Sequence, residues 1–444
     1  MPQLNLNAYL RFIERNDYRF MDRFVVNGGK PLCGKIEVGG MKNAAVAIIF
    51  ATILNEDECI IRNLPDISDV ADGFAILEKM GADVERLDKT TYRVDTKNVV
   101  CGSSPYDYVR KMRASYYILG AELGRFGKAH TAYPGGCDFG VRPIDQHIKG
   151  FRALGANVTT VESEQSFIDC VSDGSLVGNT IYMDVVSVGA TINIMLAASR
   201  AKGVTIIENA AREPHIVDLA NFLNASGAMI SGAGTDTIKI KGVEKLKGTD
   251  YTIIPDMIEA GTYMIAAAAT GGDLTITNVI PKHLDSISAK LLEMGAEVEE
   301  FDEAVRVKST GKLTGIDVKT LPYPGFPTDM NPQMGVLMCI AQGTSVMREG
   351  VWDNRFRYVE ELKLMGADIQ VEQNGKQATF KGVDGLVGAH VRAVDLRAGA
   401  AVIVAGLCAK GTTEITHIHH IQRGYENITE KLRGVGAEII LIPD

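Results

Sequence analysis

Paired cysteines are missing from this chain. Its 444 residues hold seven cysteines, at positions 33, 59, 101, 137, 170, 339 and 408. They are odd in number, scattered, and nowhere spaced as CxxC. That excludes a disulfide frame or a zinc ribbon and predicts reduced thiols in a reducing compartment. Positive charge is in deficit too: 46 Lys and Arg stand against 55 Asp and Glu, a net charge of -9. A nucleic-acid surface or an anionic membrane surface is therefore disfavoured. No apolar run approaches the ~20 residues of a membrane helix. The opening stretch, MPQLNLNAYLRFIERNDYRF, interrupts its apolar residues with charges, unlike a signal peptide. A cytoplasmic location is expected. The GxxxxGK[ST] phosphate loop is absent. His417, His419 and His420 have no further Cys/His cluster in support, so neither a metal nor a cofactor is expected.

What is present is a repeat. The phrases EKMGADVERL, RALGANVTTV, LNASGAMISG, LEMGAEVEEF, KLMGADIQVE and RGVGAEIILI share a Gly-Ala pair, with the glycine at 81, 155, 227, 295, 366 and 436. Six copies about 70 residues apart indicate a repeated structural unit. In each, an apolar-periodic helix runs into the glycine, which ends it as the left-handed residue after the cap. An alternating strand follows. Another strand lies upstream of each helix, as in ECIIRNL or VTIIENA. In most copies a second, small-residue-rich helix precedes that strand, such as IEAGTYMIAAAATGG or AGAAVIVAGLCAKG, and its nearly unbroken apolarity predicts burial on all sides. The expected fold is α/β. At ~100–200 residues per domain the length suits two or three domains, and six units suggest two halves of three.

Several residues carry chemical potential. Cys137 sits in PGGCDFGVRP, where glycines permit unusual backbone conformations. It reads equally as a reactive thiol with a pKa lowered by nearby Arg142 and as an incidental residue of a turn. Lys42 and Asn43 follow Gly39-Gly40 at the start of an apolar helix. That position suits an anion, because free amides and the helix dipole point there, but it also suits a solvated lysine. Ser187, Val188 and Gly189 open another apolar helix, either as phosphate contacts or as a simple serine cap. Arg113 begins a mostly apolar helix, Arg397 precedes a fully apolar one, and Arg142, Arg355 and Arg423 lie in loops. Converging arginines would bind a ligand with more than one anionic group. Asp329 and Asp395 are candidate carboxylates beside them, able to orient a hydroxyl or take its proton.

The runs GGKPLCGKIEVGGMKNA, RASYYILGAELGRFGKAHTAYPGGCDFGVRPIDQHI, SVGATINIM, IIENAAREPHIVD, IEAGTYMIAA, FPTDM, NRFRYVEEL, DLRAGAA and RGYENI resemble, in order, the motifs of the UDP-N-acetylglucosamine enolpyruvyl transferases. The resemblance implies a two-domain inverse α/β barrel-like fold built from six repeats, three per domain. Domain I would comprise 24–41 and 255–444, domain II 42–254, with 1–23 an N-terminal extension and the active site in the cleft. It implies transfer of enolpyruvyl from phosphoenolpyruvate to the sugar 3′-hydroxyl with release of phosphate, the committed step of peptidoglycan synthesis, and fosfomycin as an inhibitor.

Residue by residue, the resemblance makes Cys137 the proton donor. Lys42, Asn43, Arg142, Arg355, Arg397 and Arg423 would serve phosphoenolpyruvate, with Lys42 and Arg397 counted among the catalytic groups. Asn43, Arg113, Arg142, Pro143, Ile144, Asp145, Gln146, Ser187, Val188, Gly189, Asp329 and Val351 would serve the UDP-sugar. Asp329 would accept the hydroxyl proton, and Asp395 would be a second acid/base group. Two small molecules are the implied partners, with no nucleic acid or membrane; a homo-oligomer is compatible. The alternatives are a paralogue acting on another nucleotide or nucleotide sugar and a non-catalytic UDP-sugar-binding regulator.

Overall fold

A computed structural model describes residues 22–133, 144–161, 166–310 and 312–443. Among the described residues the strands form six sheets, five mixed ones of four strands and one antiparallel one of three. The unit is clearest over residues 180–241. Strand Thr180–Tyr182 pairs in parallel with Val204–Glu208, which pairs antiparallel with Thr237–Lys241, and Met229–Ser231 closes the far edge. A buried helix, Val188–Ala198, joins the first two strands. A second helix, Pro214–Ala225, leads to the last two. Parallel neighbours require such a crossover, whereas the last two strands need only a turn.

The units are not closed pieces of sequence. Strand Cys33–Glu37 pairs with Asp273–Thr277, 240 positions away, and Asp250–Thr252 pairs with Cys59–Arg62. Strand Arg23–Asn27 fills the inner place between Thr412–Thr416 and Glu438–Ile442. The chain thus crosses twice between two groups of three sheets, at 38–41 and 253–256. The two crossings lie side by side: Met41 N–H donates to Ile254 O at 2.8 Å and Asp256 N–H to Gly39 O at 2.9 Å.

The Gly-Ala glycines are all left-handed, with φ of 105°, 91°, 101°, 97°, 90° and 100° in chain order, which explains why glycine recurs there. A second recurrent device has no counterpart in the sequence-based expectations. Asn63, Asn209 and Asn278, each just after the strand that precedes the unit's outer helix, also have positive φ, at 60°, 57° and 55°. Each side chain donates to the carbonyl just beyond the neighbouring parallel strand: Ile253 O at 2.9 Å, Met183 O at 2.8 Å and Val38 O at 2.7 Å. Asparagine tolerates the left-handed region and gives its amide to a carbonyl that has left the ladder.

Each group is built on three buried helices. Lys42–Ala51, Tyr117–Phe126 and Val188–Ala198 form one set; Met257–Thr270, Asn331–Ile340 and Leu396–Cys408 form the other. Small residues set the spacing. A Cβ on Gly120 would lie 2.5 Å from Asn193 O, and Gly120 N–H donates to Asn193 Oδ1 at 2.9 Å. Among the described residues no helix is long and apolar enough to cross a membrane.

Candidate active site

Lys42 is the first residue of helix Lys42–Ala51, immediately after a crossing. Gly40 is required there, since a Cβ would stand 1.6 Å from Asn63 O. Lys42 Nζ lies 2.8 Å from Asp69 Oδ2, with both side chains largely buried. Burial pushes the Lys42 ammonium below its ordinary pKa; Asp69 opposes this, and Arg423 and Arg397 add to it. Asp69 stands in the first turn of helix Ser68–Lys79 and is 3% exposed. Its Oδ1 also accepts from Arg423 Nε at 2.8 Å. Burial alone would raise its pKa, but Lys42 and Arg423 outweigh burial and hold the carboxyl below the usual range.

Asp329 organises the second cluster. Arg397 donates to its Oδ2 through Nε at 3.1 Å and Nη2 at 2.9 Å, and Arg355 donates to Oδ1 through Nη2 at 3.2 Å. Burial works to raise the Asp329 pKa, but Arg397 and then Arg355 dominate and bring it down to about 2. Arg355 also donates to Thr328 O at 3.0 Å. Tyr425 backs Arg397, with its hydroxyl 3.5 Å from Nη1. Lys42 and Arg397 act on each other's surroundings, so the two clusters face one another. Asp395 works locally. Its Oδ1 accepts from the amides of Arg397 at 2.8 Å and Ala398 at 2.9 Å, capping helix Leu396–Cys408. That cap fixes Arg397 in the first turn.

A sequence model of the EPSP synthase family (3-phosphoshikimate 1-carboxyvinyltransferase) matches residues 26–432. The chain belongs to this carboxyvinyltransferase family. It is 55% identical over 422 residues to UDP-N-acetylglucosamine 1-carboxyvinyltransferase 3 of Caldanaerobacter subterraneus subsp. tengcongensis, covering 95% of this chain and 100% of the relative. It is 54% identical to the UDP-N-acetylglucosamine 1-carboxyvinyltransferase of Clostridium botulinum, with 95% and 100% covered. Among solved structures it is similar to the enolpyruvyl transferase NikO from Streptomyces tendae, at a TM-score of 0.85 and 26% identity, covering 96% of this chain and 100% of that one. The EPSP synthase of Acinetobacter baumannii, at a TM-score of 0.73 and 20% identity, shares the fold over 95% of this chain and 100% of that one.

In this carboxyvinyltransferase, Lys42, Arg423, Arg397, Arg355 and Asp329 are brought together, with Asn43 half-buried beside Lys42 and Asp395 below Arg397. A neighbouring cluster gathers many of the residues expected to serve the nucleotide. Arg113 lies over the Tyr116 ring at 5.3 Å, and Tyr116 packs on His147 with centroids 5.4 Å apart. His147 follows Ile144, Asp145 and Gln146 and would touch a Cβ on Gly189 at 3.2 Å. Gln146 is pinned to Asp184, accepting from its N–H at 3.0 Å. Ser187 Oγ accepts from Ala190 N at 3.3 Å, so Ser187 caps the helix that Val188 and Gly189 begin. Val351 is 44% exposed on a loop whose 351 and 352 amides both donate to Glu349 Oε1 at 2.9 Å. Cys137, Arg142 and Pro143 lie outside the described residues.

Sequence reasoning missed Asp69 and Glu349. Glu349 also accepts from Thr320 Oγ1 at 2.6 Å, Thr328 Oγ1 at 3.0 Å and Asn331 Nδ2 at 2.9 Å, which anchors the turn carrying Asp329. The only local sign of Asp69 is an acidic residue in a first helical turn; Glu349 follows a strand and has no motif.

Proposed function

We propose that this protein transfers the enolpyruvyl group of phosphoenolpyruvate to the 3′-hydroxyl of UDP-N-acetylglucosamine and releases phosphate, the committed step of peptidoglycan synthesis. The observation that carries the reading is the convergence of Lys42, Arg423, Arg397 and Arg355 on two carboxylates, the buried Asp69 and the half-buried Asp329. In a chain of this family, such a cluster fits a ligand bearing both a phosphate and a carboxylate. We take the domain division at the two crossings, with 24–41 and 255–444 as one domain, 42–254 as the other, and the cleft between them as the reaction site. The setting is cytoplasmic.

The reaction has two balanced halves. First, a proton is delivered to C3 of phosphoenolpyruvate while the sugar oxygen bonds to C2 and gives up its own proton. Then C3 loses a proton, the alkene re-forms, and the C2–O bond to phosphate breaks. Cys137, in the glycine-bearing run PGGCDFGVRP, is assigned the proton donation to C3. Asp329 is assigned the hydroxyl proton. While Arg397 and Arg355 hold it, Asp329 is a weak base. The anionic groups of phosphoenolpyruvate compete for those arginines, so substrate binding raises the basicity of Asp329 where it is needed. Arg113, Arg142 through Gln146, and Ser187 through Gly189 would hold the uridine diphosphate, with Val351 against the sugar and Asn43 near both substrates.

The test is phosphate release from phosphoenolpyruvate plus UDP-N-acetylglucosamine by the wild type and Cys137→Ala. Rapid release by the wild type and loss in the variant are expected. Absence of release by the wild type would sink the enzyme reading and favour a binding regulator. Unchanged release by the variant would remove Cys137 from its role. Cys137→Asp should keep some turnover, because a carboxylic acid can still donate, while losing sensitivity to thiol alkylators such as fosfomycin.

A further inference from the structure

Asp69 is not among the groups that the reaction requires, yet it is the anion through which two of its cations meet. Its Oδ2 lies 2.8 Å from Lys42 Nζ, and Arg423 donates to Oδ1 through Nε at 2.8 Å and to Oδ2 through Nη2 at 3.4 Å. Lys42 and Asp69 stand on packed helices of one group of sheets, whereas Arg423 follows the short helix His419–Gln422 of the other. The contact is therefore a link across the cleft. It is also costly as mere scaffolding. Asp69 is 3% exposed, and a buried ion pair is often no more stabilising than apolar side chains of the same size. An exposed aspartate in the same first turn would serve the helix dipole as well.

We propose that Asp69 is a positioning residue of the anion site, holding Lys42 and Arg423 from opposite sides of the cleft at the spacing at which both grip the phosphate of phosphoenolpyruvate. This rests on the reading that those two residues take that substrate. Without the carboxylate, two buried cations would face each other unscreened. Either the side chains would swing apart or Lys42 would give up its proton; Arg423 cannot. The other charges around Lys42 do not replace Asp69. Asp256 Oδ2 accepts from the Lys42 backbone amide at 3.3 Å, Asp329 is committed to Arg397 and Arg355, and Arg397 is itself a cation. Asp72, one turn along, faces Lys111 and Asp69 itself.

The experiment measures kcat and the KM for phosphoenolpyruvate across pH for the wild type, Asp69→Asn and Asp69→Glu, with UDP-N-acetylglucosamine affinity by calorimetry as the check of folding. Asp69→Asn should keep its affinity for the UDP-sugar. Its KM for phosphoenolpyruvate should rise about tenfold, more than kcat falls, as for the loss of one well-placed anion contact. That KM should climb with pH through neutrality more steeply than in the wild type, as Lys42 loses its proton. Asp69→Glu should restore the shallow profile. A wild-type KM and pH profile in Asp69→Asn would overturn the proposal, as would a lowered KM or a glutamate variant as impaired as the asparagine one. Should Asp69→Asn not fold, the glutamate variant decides: a profile matching the wild type supports the role, and a steepened one overturns it. Failure of the wild type to release phosphate would instead strike the functional reading beneath.

Discussion

Arg397 reaches back 68 positions to donate two hydrogen bonds to Asp329, at 3.1 and 2.9 Å. The carboxylate assigned to the sugar proton is thus the counter-ion of two arginines assigned to phosphoenolpyruvate. Asp329→Asn should remove the proton acceptor and weaken both arginine contacts. A fall in kcat of about 10²–10⁴ is expected, the range for loss of general base catalysis. Because the free-enzyme carboxyl sits at about 2, the profile of kcat/KM should show no acidic inflection from Asp329 near pH 4. Steady-state phosphate release across pH checks both.

Asp395 separates two roles. As a cap it satisfies the amides of Arg397 and Ala398. Asp395→Ala should lower stability by about 1–2 kcal/mol, and Asp395→Ser should recover most of it, since serine caps nearly as well. If turnover also returns with serine, the residue acts by fixing Arg397. If turnover stays low while the melting temperature recovers, the carboxylate itself takes part in the chemistry. Thermal melts paired with phosphate release decide between them.

The repeat makes a stability prediction that differs between copies. Gly295 and Gly81 are both left-handed, but a Cβ on Gly295 meets nothing within 4 Å, whereas one on Gly81 would stand 2.6 Å from Asn98 O. Gly295→Ala should cost about 1–2 kcal/mol, the backbone strain of a left-handed residue with a Cβ. Gly81→Ala should cost more, because the loop at Asn98 must also move. Denaturant midpoints of the two variants provide the comparison, and equal losses would contradict it.

Glu122 gives the protein an unusual pH response. It is fully buried in helix Tyr117–Phe126, accepting from Gly102 N at 2.8 Å and His130 N at 3.2 Å. Burial dominates over these amides and pushes its pKa up to about 7. The folded state therefore binds a proton that the unfolded chain releases near its ordinary glutamate pKa. Stability from this group is full below about pH 4.3 and declines as pH rises to about 7, by roughly 4 kcal/mol in all. Glu122→Gln should flatten that decline. Melting temperatures across the interval test it; parallel curves for the two proteins would refute the assignment.

The repeat, its buried helices and the glycines that end its outer helices were legible because each depends on local rules. A left-handed residue after a helix selects glycine wherever it occurs, and a helix buried on all sides must be apolar throughout. The asparagines at 63, 209 and 278 obey an equally local rule, but they occur in only three of the six units, and an asparagine after a strand is unremarkable in sequence. The arginines stood out because charge beside apolar helices is rare. Their partners did not, since an aspartate in a first turn or a glutamate after a strand is unremarkable in sequence. Family, repeat unit and the residue types available for binding anions could all be read along the chain. Tertiary structure alone decided which pairs meet: strand Cys33–Glu37 with Asp273–Thr277, Asp329 with Arg397, and Asp69 with both Lys42 and Arg423. Long-range pairing and buried charge compensation depend on where the chain crosses between its two groups of sheets, and no local preference encodes that distance.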